Sequence, residues 1–115
     1  MSLPAGLLLG GCGSAQTFQA PLDVVWQAAM TESIVWRPTS IDEQTHTIAA
    51  SLQSGDGTTI EGRVEVAPFF WSPQGSTRVR VSFQSVTSPR RRYLDIETLY
   101  LQRVASYLQM RSAPR

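Results

Sequence analysis

The chain has 115 residues, ten basic and nine acidic side chains, and a formal net charge of +1. That length fits one domain able to bury roughly two-thirds of its unfolded surface without help from a metal or disulfide, and the near-zero charge excludes a global pull toward nucleic acid or anionic membrane. Every basic residue is Arg, and a single Cys rules out an intrachain disulfide.

Residues 1–16 form an uncharged, apolar start that runs into small residues around Cys12, the pattern of the end of a signal peptide. Within it, Leu9-Gly10-Gly11-Cys12 resembles the lipobox of bacterial lipoproteins. The resemblance implies that the Cys12 thiol accepts a diacylglycerol thioether and that cleavage makes Cys12 the new N-terminus. No basic residue precedes the apolar run, so either the start lies upstream of Met1 or Met1-Ser2-Leu3 is foreign to it. The run is far shorter than the roughly 20 residues that span a bilayer, so if the chain is membrane-bound, lipid holds it; the competing expectation is a disordered N-terminal tail with an incidental thiol.

The folded domain is expected over 17–112, with 113–115 a loose tail. Thr17-Phe18-Gln19 reads as a short edge strand. Pro21 and Asp23 mark a helix start, and Leu22, Trp26, Ala29, Met30 and Ser33 follow at helical spacing, with Val25 widening the stripe. Pro38 ends that helix, and Val35 to Ile41 is expected to be extended. Three segments then alternate with period two: Ile48, Ala50 and Leu52; Ile60, Val64, Val66 and Phe70; Val79, Val81 and Phe83. Their other faces are polar, with Glu61, Arg63 and Glu65 on one and Arg78, Arg80 and Gln84 on the next. Asp42 to His46, the Asp56-Gly57 pair and Trp71 to Ser76 supply the turns. After a break at Thr87-Ser88-Pro89, Tyr93 to Met110 is helical again, with Ile96, Leu99, Tyr100, Val104, Tyr107 and Leu108 on one side and Glu97, Arg103 and Arg111 nearer water. These elements predict an α+β two-layer sandwich: an antiparallel meander of four or five strands with two helices packed on one face.

No catalytic constellation is visible. His46 is the single His and stands beside Asp42, Glu43 and Thr45, where the expectation is a solvated turn residue, since a metal site needs three or four convergent ligands. Cys12 has no base near it in sequence, the Ser residues fall in turns or on polar strand faces, and adjacent turn carboxylates such as Asp42 and Glu43 stay ionised in water. The chain therefore reads as a non-enzyme without cofactor or metal. Two surface features stand out. Arg90, Arg91 and Arg92, with Arg78 and Arg80, offer either a basic patch for phosphate or anionic headgroups or solvated charge partly neutralised by Glu61 and Glu65. Phe69 and Trp71 close a hairpin, where they either cap the helical layer or touch a partner.

The succession Ala20-Pro21-Leu22-Asp23-Val24-Val25-Trp26, then Thr47-Ile48-Ala49-Ala50, Gly57-Thr58-Thr59-Ile60 and Ser76-Thr77-Arg78-Val79-Arg80-Val81 resembles small bacterial lipoproteins of unknown function, the DUF3568-like group, and domains of the outer-membrane assembly lipoprotein BamC. Arg90-Arg91-Arg92 is not part of that pattern. The resemblance implies a protein of the bacterial cell envelope, at the outer membrane facing the periplasm, held to the membrane by lipid on Cys12 and offering a non-catalytic binding or scaffold module to another envelope protein. The competing expectation is a soluble nucleic-acid or phospholigand binder using the arginines. Against it, the polar sheet face lacks the aromatic side chains on which single-stranded bases stack.

Overall fold

The computed structural model describes residues 13–69, 75–87 and 89–112. Cys12, Phe70, Trp71 and the tail 113–115 lie outside them. The elements in chain order are β1 (Ser14–Phe18), α1 (Leu22–Ser33), a 3-10 turn (Ile34–Trp36), β2 (Ser40–Asp42), β3 (Thr47–Gln53), β4 (Thr59–Phe69), β5 (Ser76–Ser85) and α2 (Leu94–Ser112). The expected α+β architecture is observed: a five-stranded sheet of order β1-β5-β4-β3-β2, antiparallel at every pairing, with both helices on one face.

The alternation in sequence sets which face the helices cover. Ile48 pairs with Val64 and Val64 with Val81, so these side chains form one apolar row across three strands. Val25, Trp26, Ala28 and Ala29 of α1 and Tyr100, Leu101 and Val104 of α2 close over that face. Each buried Val, Leu or Ile side chain among these contributes about 1.5–3 kcal/mol by leaving water. Gly62 lies opposite Phe83, and a Cβ there would sit 2.6 Å from the Phe83 ring. The missing side chain therefore makes room for the aromatic one.

Three local readings are revised. The first strand starts at Ser14 rather than Thr17, because Ser14-Ala15-Gln16 pair with Val81, Arg80 and Val79; these residues belong to the domain, not to a tether. Val35 and Trp36 are not extended but continue α1 as a 3-10 turn that stops at Arg37 in the left-handed region (φ 51°). Pro38 restricts only the residue before it, which leaves Trp36 free to turn inward onto Phe83 and Tyr100, each with ring centroids 4.6 Å away. In α2, Leu99 is exposed and Glu97 is fully buried, the reverse of the expectation. Glu97 stands four and seven residues before Leu101 and Val104, on the same side of the helix.

Candidate functional site

The densest polar arrangement surrounds Phe83, near the end of β5. β1 covers β5 only as far as Val81, and beyond it the edge is taken over by the chain before α2: Ser85 N–H donates to Arg91 C=O and Tyr93 N–H to Phe83 C=O, both at 2.9 Å, with a bridge between Gln84 and Arg92. Phe83 N–H then has no strand partner and donates to Glu97 Oε2 at 2.8 Å. Ser14 Oγ donates to Oε1 at 2.7 Å. The Arg92 guanidinium closes the set in a fork, Nη2 to Oε1 at 3.1 Å and Nε to Oε2 at 3.3 Å. A buried carboxylate is tolerated when paired and fully hydrogen-bonded, and Glu97 meets both conditions. It ties β1, β5, the 91–93 segment and α2 together.

The sequence reading missed Glu97. The signal lay in its spacing to Leu101 and Val104, together with an Arg five residues earlier to neutralise it.

The arginines singled out from the sequence do not converge. Arg92 is committed to Glu97. Arg91 uses its backbone to hold Ser85, its N–H donating to Ser85 Oγ at 2.7 Å, while the Arg90 and Arg91 side chains are exposed. Arg78 and Arg80 stand on the open face of β5. Four residues separate Arg80 from Gln84, the bridge partner of Arg92, about 13 Å along a strand. Arg78 lies over the half-buried Phe69 ring, 4.4 Å from its centroid, a cation–π contact at the end of β4 remote from Phe83. Arg80 faces Glu65 across the strands, yet the Glu65 carboxylate is taken by Arg63 Nε at 2.8 Å.

His46 is not a free turn residue. Its backbone is left-handed (φ 55°), its C=O accepts Val66 N–H at 2.9 Å, and its ring meets Trp26 edge-on at 5.1 Å. Asp42 accepts the N–H groups of Thr45 and Gln44, which hold its carboxyl below the usual range. Asp56 accepts from the Ser54 hydroxyl and from Thr58 N–H, which lower it to about 2. Both carboxylates stabilise their turns.

Among the described residues no three His, Cys, Asp or Glu side chains cluster as metal ligands. Two hollows, of about 650 and 510 Å³, flank the C-terminal half of α2; the first is lined by Glu32, Arg103, Tyr107 and Met110, the second by Phe18, Val24 and Ala105. In the first, Arg103 and Glu32 are paired at 2.9 Å and Arg111 also lines the wall. No described helix is long and apolar enough to cross a membrane. No protein-family model and no curated protein matches the chain.

Proposed function

We propose that this chain is a lipid-anchored protein of the bacterial cell envelope, at the outer membrane facing the periplasm, whose domain is a non-catalytic binding or scaffold module for another envelope protein. The observation that carries the reading is Leu9-Gly10-Gly11-Cys12 standing directly ahead of a folded domain. The fold adds a physical reason for a short tether. Ser14 is already fixed to the buried Glu97, so acyl chains on Cys12 would hold the domain itself close to the lipid. A thioether-linked diacylglycerol and an amide-linked chain exceed the two signals that stable anchoring needs.

The open sheet face and the Phe69–Arg78 pair are the surface offered to the partner. The Phe69–Arg78 pair lies at the end of β4 away from where the chain enters, which suits a partner approaching from the aqueous side. The test is mass spectrometry of the N-terminal peptide after expression in a bacterial host, together with crosslinking in intact cells. Diacylglyceryl and acyl mass on Cys12, membrane fractionation lost in Cys12→Ser, and a crosslinked envelope protein are expected. An unmodified Cys12 on a fully soluble chain overturns the reading.

A further inference from the structure

We propose that the Phe83 end of the domain is its membrane-facing end, seating Ile34, Val35, Leu94 and Leu99 with Arg90 and Arg91 on an anionic phospholipid leaflet. The inference rests on the lipid-anchor reading for what holds the domain there. It rests on the fold for which end is held.

The chain enters the domain at this end. Gly13 packs against Val81 and Ser82, and Ser14 shares the Glu97 carboxylate with Arg92 and Phe83 N–H. Consecutive Cα atoms are about 3.8 Å apart, so an anchor on Cys12 is bonded within about 8 Å of Ser14, comparable to the depth of one headgroup layer.

Most of the exposed large apolar side chains of the domain belong to segments that meet at this end. Among the described residues, seven large apolar side chains are exposed: Ile34 (65%), Val35 (71%), Ile41, Val86, Leu94 (54%), Leu99 (55%) and Met110. Five of these seven are next or next but one in sequence to residues packed on Phe83 or Trp36, or paired beside Phe83. Ile34 and Val35 lead into Trp36, which packs on Phe83 and Tyr100. Leu99 adjoins Tyr100, Leu94 follows Tyr93 at its bond to Phe83, and Val86 follows Ser85. Of the other two, Ile41 is on the far edge strand and Met110 near the opposite end of α2. Trp36 is half-buried here, and aromatic rings favour the headgroup level.

Exposed arginines stand beside these apolar side chains. Arg37, Arg90 and Arg91 are exposed at this end, whereas Arg92 and Glu97 cancel one another. Asp95, Asp56 and Glu61, the last opposite Gln84, stand at the same end and equal the three arginines in number, so the attraction to the leaflet comes from guanidinium–phosphate contacts and not from an excess of charge. Arginine suits such a place because its stem lies along apolar surface while the guanidinium reaches phosphate.

The test uses the full chain with its single thiol. Cys12 is coupled to a maleimide lipid in vesicles of phosphatidylethanolamine and phosphatidylglycerol, and amide hydrogen exchange is compared with the same protein capped by a soluble maleimide. Exchange is expected to slow several-fold at 34–37 and 86–94, with no change at 105–111, and the slowing is expected to weaken in Arg90→Gln/Arg91→Gln and in high salt. Slowing at neither end, or equally at both, overturns the proposal. So does slowing of 34–37 and 86–94 on raising the concentration of capped protein without vesicles, which would make this end an interface between copies of the chain. Because the coupling is chemical, the two readings fail separately. A lipid-free Cys12 in cells with protection on the vesicle removes the anchor and keeps the surface, whereas a lipidated Cys12 with no protection does the opposite.

Discussion

Two Arg–Glu pairs lie on opposite sides of the sheet and behave as different chemistry. On the helix side Arg92 and Glu97 meet with the carboxylate wholly out of water and accepting from a hydroxyl, a backbone N–H and both arms of the guanidinium fork. On the open side Arg63 and Glu65 meet at 2.8 Å with side chains 61% and 44% exposed. Burying a carboxylate costs several kcal/mol, offset only by full pairing, whereas an exposed pair gains about 0–1 kcal/mol and loses it to salt. Distance alone would rank the exposed pair as the stronger. The number of donors and the absence of water reverse that order, and only the buried pair holds separate parts of the chain together.

The largest test of this difference is Glu97→Ala, expected to lower the unfolding free energy by about 2–4 kcal/mol in urea titrations, since it strands the buried Phe83 N–H and leaves a cavity, while the 35% exposed Arg92 side chain turns to water. Glu97→Gln keeps one acceptor oxygen and should fall between the variant and the wild type. Ser14→Ala should cost about 1 kcal/mol and speed amide exchange mainly in β1. If Glu97→Ala cost under about 1 kcal/mol, the buried pair would be no more than a surface bridge in a sheltered place, and the contrast would collapse.

A neutral buried group gives the intermediate case. Tyr100 donates its hydroxyl to Ala29 C=O at 2.8 Å and so joins the two helices. Tyr100→Phe is expected to cost about 1 kcal/mol. Burial first, and the Glu32 charge second, push the phenol well above its ordinary value of 10.0. The folded state therefore holds this proton more tightly than the unfolded chain. The stabilisation is complete below pH about 10 and is lost as pH rises beyond it. Alkaline unfolding followed by circular dichroism should accordingly be shallower in Tyr100→Phe.

What could be read from the sequence follows the same division. Period-two alternation exposed the faces of β3, β4 and β5, because Val64, Val79 and Val81 need only be apolar to declare themselves. The apolar stripe of α1 was equally plain. Glu97 was hidden because a hydrophobic stripe passes over a charged residue, and its partners Ser14 and Phe83 are brought to it only by the tertiary fold. β1 was under-read for the same reason: Ser14-Ala15-Gln16 has no alternation, and its place is set by pairing with β5. Of the residues weighed as a surface, Phe69 and Arg78 do come together, while Arg90 and Arg91 stand at the other end of the sheet. Charge runs show composition but not placement.

Asp56 offers a smaller, pH-dependent version of the contrast. It is exposed, yet the Ser54 hydroxyl and Thr58 N–H hold it at about 2 against the ordinary 3.8. A carboxylate with a lowered folded pKa stabilises above its unfolded value, and that contribution disappears as pH falls through about 2. Asp56→Asn should therefore be less stable than the wild type at neutral pH, and the two melting temperatures should draw together as pH falls toward 2. A gap that stayed constant with pH would assign the turn's stability to hydrogen bonds indifferent to charge.

The smallest effect belongs to the exposed partner of the opening comparison. Glu65→Gln removes the charge facing Arg63 and Arg80 while keeping an acceptor oxygen, and is expected to change the unfolding free energy by no more than about 0.5 kcal/mol at low salt and by nothing measurable in molar salt. A double-mutant cycle with Arg63→Gln should give a coupling of similar size, against several kcal/mol for the corresponding cycle of Glu97 and Arg92. A large Glu65 coupling would mean that Arg80, opposite in register, shares the carboxylate in solution. The open face would then be an organised charge network instead of a solvated one, with a correspondingly sharper demand on any partner that docks there.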